Sequence, residues 1–217
     1  MLSSLDHMTI TAPSLEMGTE YVRRILGVEP QAGGEHPRMG THNRFLKLGR
    51  KVYLEIIAVN QSAPPQNRPR WFDLDNPGTR QLIRLAAWVA RTDDIHAAAA
   101  ASPVPLGNVE LMSRGKMNWL ITIPADGTLP VGGIAPILIQ WPEGSHPTNS
   151  LEGMGCRLLR LEAFHSEPKR VAAILRSIGF EGRDFLLSPL SADEKPYLVA
   201  HIQTPDGIRR LSAPASS

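Results

Sequence analysis

The sequence predicts an α+β protein made of tandem βαβββ modules that form curved mixed sheets around a cup, with a shorter third βαβββ-like unit. Three observations carry this expectation. A segment of strand period is followed by one of helix period and then by three more strand-like runs. That order returns a second time, and in abbreviated form a third.

In the first unit residues 4–12 alternate, with Leu5, His7, Thr9 and Thr11 on one face and Asp6, Met8, Ile10 and Ala12 on the other. Ser14 offers a helix cap, Leu15, Gly18, Val22, Ile25 and Leu26 recur at helical spacing, and Gly27 stops the helix. Residues 28–31 read as a short extended segment and the Gly33-Gly34 pair as a turn. Residues 44–48 and 52–59 read as strands joined at the Leu48-Gly49 corner. The second unit places a strand at 85–91, an alanine-rich helix opened by Asp93, and strands at 109–113, 118–123 and 135–141. In the third, a strand at 158–164 precedes a helix with Ser166 as cap and Pro168 in its first turn; the helix stops at Gly179, and strands follow at 185–187, 197–203 and 208–211. The expected boundaries are 1–62, 80–147 and 155–214. Residues 60–79, rich in Pro, Asn and Arg, form a long connection whose Arg68, Arg70 and Trp71 are candidates for a lid touching an anionic substrate.

Composition narrows the function classes. The 217 residues are 42% hydrophobic and 20% charged, an ordinary soluble balance, and a net charge of +2 with no basic stripe argues against nucleic acid. The N-terminal MLSSLDHMTI lacks the pattern of a signal peptide and no run reaches the ~20 apolar residues of a membrane span, so a cytoplasmic location is expected. Cys156 is the one cysteine, which excludes an intrachain disulfide and a thiolate metal cluster. No nucleophile elbow and no phosphate loop is present.

The chemistry-bearing signal is Glu55 within the apolar run YLEIIAV. An isolated buried carboxylate costs several kcal/mol unless paired. His7, set among apolar and hydroxyl residues in LDHMTITAP, is the partner the sequence offers, as half a metal site or an acid/base pair. The structural alternatives are a neutral core histidine at His7, an ion pair from Glu55 to Arg44 or Lys47, a loop fixed by His36 and Asn43, and a strand end closed by Gln140 and Trp141.

LDH in the first strand, GGEHPRMGTHN, YLEIIAV, RWFDLD and PILIQWPEGSHP together resemble the glyoxalase-like domain proteins of the vicinal oxygen chelate superfamily, over roughly residues 3–147. The resemblance implies a small-molecule cup lined by His7, His36, Thr41, Asn43, Glu55, Gln140 and Trp141, and lyase, isomerase or dioxygenase chemistry. It implies a divalent metal (zinc, nickel, manganese or iron) held by His7 and Glu55, with His36 as third ligand, and Glu55 and His7 as the catalytic pair. It also implies a homodimer as one assembly. The second unit departs from the pattern: Ala87 falls where His7 would recur and Gln140 where Glu55 would. That departure supports the alternative, a metal-free protein binding a drug or metabolite in the same cup.

Overall fold

In the computed structural model, which describes residues 1–212, two sheets carry the chain. Positions 213–214 of the third expected unit lie outside the described residues. The first unit is β1 (Ser3–Thr11), α1 (Leu15–Leu26), β2 (Gln31–His36), β3 (Thr41–Lys47) and β4 (Tyr53–Val59); the second is β5 (Arg84–Thr92), α2 (Ile95–Ala101), β6 (Asn108–Arg114), β7 (Met117–Ile123) and β8 (Ile137–Gln140). They share one eight-stranded sheet, ordered β2-β3-β4-β1-β5-β8-β7-β6, in which β1 and β5 pair antiparallel at the centre. The third unit, β9 (Arg157–His165), α3 (Pro168–Ser177), β10 (Phe185–Pro189), β11 (Tyr197–Thr204) and β12 (Gly207–Ser212), forms a four-stranded sheet. Its element order is that of the first two units, but its strand order is β10-β9-β11-β12. The difference has a topological cause. β1 and β5 each gain a neighbour from the other unit and take their last strand, β4 or β8, as the parallel partner. β9 must find both neighbours within its own unit, and it takes β10 and β11.

The helix ends follow their local chemistry. Ser14 is extended and accepts the Met17 N–H, and Gly27 takes the left-handed conformation (φ 72°) that closes α1. Asp94, one residue later than expected, caps α2. Ser166 does not cap α3. Glu167 holds that position, and its N–H is donated to His165 Nδ1 at 2.9 Å.

One face of the large sheet is the main core. Leu5, Met8, Ile10, Leu54, Ile56 and Trp88 pack there with Val22 and Leu26 of α1 and with Leu161, Ile174, Leu198 and Ile202 of the third unit. Trp88 is fully buried against Phe180 and Phe185, its ring centroid 5.0 and 4.8 Å from theirs, and donates its indole N–H to Ile134 O at 2.8 Å. Burial of a side chain of this kind stabilises by roughly 1.5–3 kcal/mol. The third unit therefore braces the back of the sheet and leaves the opposite face as the cup. That face carries Ile57, Ala87, Val89, Ile121, Ile137 and Ile139, roofed by Trp71, Phe72 and Leu74 of the long connection. Among the described residues no helix is long and apolar enough to cross a membrane.

Two bulges set the site. In β1, Leu5 pairs with Ala90 and His7 with Val89, so Asp6 is an extra residue. The strict alternation expected for residues 4–12 fails there. Leu5 joins Met8 and Ile10 in the core, and Asp6 bonds to His7. In β2, Gly33 and Gly34 together oppose the single residue Asn43, between the pairs Ala32–Arg44 and Glu35–His42. The expected turn is thus a bulge inside a strand. A Cβ on Gly33 would strike Asn43 Oδ1 and its backbone, and Gly34 donates its N–H to the same Oδ1 at 2.9 Å. Gly33→Ala is expected to destabilise the fold by about 1–3 kcal/mol, read from the midpoint of urea denaturation.

Candidate functional site

A small cavity opens on the cup face, lined by His7, His36, Tyr53, Glu55, Trp71, Phe72, Arg114, Trp119, Ile121, Ile139 and Trp141. The centre of a water molecule can reach only ≈ 20 Å³ of it, room for about one water. Its two walls differ. The register explains the asymmetry: His7 pairs with Val89 and Thr9 with Ala87, so a local two-fold relates His7 to Ala87 and Thr9 to Val89. Thr9 lies beside Glu55 in β4, and Val89 lies beside Ile137 in β8. The counterpart of Glu55 is therefore Ile137, not Gln140. Gln140 faces the helix side, where its Oε1 accepts the Ile95 N–H at 2.9 Å. One wall carries His7, His36 and Glu55; the other is aliphatic and aromatic apart from Arg114.

On the polar wall His7 and Glu55 are each held by a buried partner. His7 Nδ1 lies 2.7 Å from Asp6 Oδ1, and its ring stacks on Tyr53 with centroids 4.5 Å apart. Asp6 is fully buried. Its other oxygen meets His146 Nε2 and Trp141 Nε1, each at 3.1 Å. Burial alone would raise the Asp6 pKa, but the hydrogen bonds from His146 and His7 outweigh it and hold the carboxyl well below the usual range. An ionised carboxylate only accepts, so His7 Nδ1 carries the hydrogen and Nε2 is left facing the cavity. That nitrogen sits 3.6 Å from Glu55 Oε2, beyond hydrogen-bond range.

Glu55 is positioned from the other side. Asn43 takes the Gly34 N–H on Oδ1, which fixes its amide, and donates through Nδ2 to Glu55 Oε1 at 2.6 Å and to His36 Nε2 at 3.4 Å. His36 Nδ1 then lies 3.1 Å from Thr41 Oγ1, which also accepts the Trp71 indole N–H at 3.3 Å. Thr41 and Asn43 are buried supports of the site, and neither lines the cavity. The alternative ion pairs for Glu55 are not formed: Arg44 reaches Glu29, and Lys47 donates to Thr148 O and Leu151 O.

The expected metal set is not assembled. His7 and Glu55 face one another, but both His36 nitrogens are engaged by Asn43 and Thr41. Among the described residues no group of three His, Cys, Asp or Glu side chains is arranged to hold a metal ion. The residues present do not fit a three-ligand divalent site. Burial, reinforced by the charges of Arg114 and His42, lowers the His36 pKa to about 3. The unfolded chain then binds the proton first, so stability is full above about pH 6.5 and falls as the pH drops toward 3, by roughly 1.4 kcal/mol per pH unit. His36→Gln is expected to flatten that slope in denaturation midpoints taken between pH 7.5 and 5.

Asp6, Tyr53, Phe72, Arg114, Trp119 and His146 were not among the expected site residues. Asp6 had a signal: an aspartate on a strand face shared with Met8 and Ile10 is as costly unpaired as Glu55. Arg114, in the SRGK corner, reads as a hairpin end. In the connection, Trp71 and Phe72 are buried against the cavity, while Arg68 is paired with Glu110 and Arg70 with Asp75. Neither arginine is free for an anionic ligand.

The glyoxalase-like domain family matches residues 5–179 of this sequence. The chain belongs to the glyoxalase-like domain family. Among solved structures, a hypothetical protein from Staphylococcus aureus is similar with 14% identity and a TM-score of 0.58, over 98% of this chain and 88% of that one; this likeness is one of fold. A Streptomyces coelicolor methylmalonyl-CoA epimerase variant in complex with 2-nitronate-propionyl-CoA is 19% identical at a TM-score of 0.45, over 68% of this chain and 100% of that one. The methylmalonyl-CoA epimerase from Mycobacterium tuberculosis is 18% identical at 0.40, over 64% and 87%. No curated protein matches the chain.

Proposed function

We propose that this glyoxalase-like protein is a small-molecule enzyme of lyase or isomerase type, which moves a proton at a carbon next to a carbonyl by means of His7 and Glu55. One observation carries the reading: His7 Nε2 and Glu55 Oε2 meet at 3.6 Å in a half-enclosed cavity, each pre-oriented by a buried partner, Asp6 or Asn43. In the proposed step the substrate C–H bond breaks, its proton passes to Glu55 Oε2, and the bonding pair moves onto the carbonyl oxygen. Return of a proton to carbon, from Glu55 or through His7 Nε2, completes an isomerisation. Exclusion of water by Trp71, Phe72, Trp119 and Trp141 strengthens the electrostatics of this step. A substrate needs more room than the cavity has. The segment bearing Trp71 and Phe72 is the part proposed to move, and Phe72 (φ 56°) and Asp73 (φ 60°) hold strained left-handed conformations there.

The test is proton NMR in D₂O of small 2-oxo and 2-hydroxy compounds with chelated protein, then with added zinc, nickel, manganese or iron. The reading expects protein-dependent loss of an α-proton signal that does not require metal. Absence of exchange across the set would overturn it. Ala87 and Ile137, which stand on the second wall where the counterparts of His7 and Glu55 would fall, favour a metal-free binding protein as the second reading. Quenching of tryptophan fluorescence without exchange would select that one.

A further inference from the structure

We propose that Arg114, together with the indole N–H of Trp119, forms a carboxylate subsite, so that the ligand of the cup is a small organic acid. This rests on the cup being the ligand site, as above, but not on His7 and Glu55 being catalytic.

Arg114 ends the edge strand β6, and the curled sheet brings β6 against the opposite edge, β2. Arg38, just beyond β2, donates to Leu111 O at 2.9 Å and pairs with Glu110. The aliphatic stem of Arg114 passes over Gly34. A Cβ there would lie 2.9 Å from Arg114 Cδ and 3.0 Å from its Cγ. The two glycines of the bulge thus have separate tasks: Gly33 admits Asn43, and Gly34 clears the path that lets an arginine of the second unit reach a cavity whose His7, His36 and Glu55 belong to the first. The guanidinium rests on the Phe45 ring at 4.5 Å and lies 6.0 Å from the Trp119 centroid.

At this position its donors are nearly idle. Among the described residues Arg114 makes one side-chain hydrogen bond, a 3.6 Å contact to Met117 Sδ, and no ion pair. A guanidinium has five N–H donors in a fork that matches a carboxylate, and leaving it half-buried and unpaired is costly. Burial accordingly lowers its pKa, against the opposing pull of Glu55 and Tyr53. Trp119, lining the same cavity, has its indole N–H buried without a partner. Two idle donors on one cavity call for an acceptor-rich ligand. The charge balance favours a carboxylate over a phosphate. Arg114 is the one arginine or lysine of the lining, and Glu55 shares the space, so a dianion would meet more repulsion than a single guanidinium offsets.

The experiment is a fluorescence titration, with Trp71, Trp119 and Trp141 as reporters, using glyoxylate, pyruvate, 2-oxobutyrate and lactate, the methyl ester of each, and inorganic phosphate. At least one acid is expected to bind roughly 10- to 100-fold more tightly than its ester. Arg114→Met should erase that preference, Arg114→Lys should restore part of it, and Gly34→Ala, which leaves the arginine but displaces it, should weaken acid binding. Near-UV circular dichroism shows whether each variant keeps its fold. Glu55→Gln should bind the acids as tightly as the parent or more so while failing to exchange an α-proton, which separates this subsite from the proposed chemistry. Equal binding of acids and esters, no acid binding at all, tighter binding of phosphate than of any acid, or unchanged preference in Arg114→Met would each overturn the carboxylate subsite.

Discussion

Glu55→Gln is expected to slow α-deuterium exchange by about 10²- to 10⁴-fold, the range a positioned general base contributes, with little change in melting temperature. The substitution is nearly isosteric. The Gln side-chain oxygen can still accept the Asn43 amide that now meets Glu55 Oε1 at 2.6 Å, so the scaffold should persist. What is lost is the lone pair of Oε2 beside His7 Nε2, replaced by an NH₂ group that cannot take a proton from carbon. His7→Ala is expected to cause a loss of the same order but with a lower melting temperature, because it also removes the ring stacked on Tyr53 and one donor to Asp6. Exchange rates from NMR and a thermal melt on the same samples check both. A Glu55→Gln protein that exchanges at the parent rate would move the base to another residue.

The sequence exposed the fold well because the signals that define it are local and repeated. The Ser14 and Gly27 helix ends and the recurring strand-helix-hairpin order needed no tertiary information. His7 and Glu55 stood out for a similar reason, since two polar residues in apolar strands must be satisfied by something, but the partners that satisfy them are Asp6 and Asn43 and not each other. The rest of the site depended on events that periodicity cannot register. A bulge at Asp6 changes the side of a strand on which a residue acts, and no alternation rule anticipates it. Gln140 and Trp141 are adjacent, and the register that turns Gln140 toward α2 and Trp141 toward Asp6 is fixed by pairing across the sheet. Arg114 reaches the cavity because two sheet edges meet, a long-range consequence of curvature. The third unit showed its element order but not its pairing, which follows from the lack of a second unit for β9 to share.

The largest stability effect is expected at Asp6. Asp6→Ala removes the acceptor for His7, His146 and Trp141 at once and leaves Arg91, whose Nη1 lies 4.0 Å from Oδ2, without its carboxylate. Removing one partner of a buried charged network costs about 3–5 kcal/mol, which for a chain of this size is roughly 6–20 °C of melting temperature. Asp6→Asn separates charge from shape. Its NH₂ group must face at least one existing donor, and wherever it faces His7 Nδ1 it reverses the tautomer, placing the hydrogen on Nε2 and removing the lone pair that looks into the cavity. Exchange activity should then fall even in the fraction that stays folded. The pH dependence carries a definite sign. Because the hydrogen bonds from His146 and His7 hold the folded carboxyl below its unfolded value, its contribution is complete above the ordinary carboxylate range near pH 4 and is lost as the pH falls below it. The melting-temperature gap between the parent and Asp6→Asn should accordingly be wide near pH 7 and narrow progressively below about pH 4. A gap that stayed constant through that range would mean that the carboxylate contributes through its shape and not through its charge.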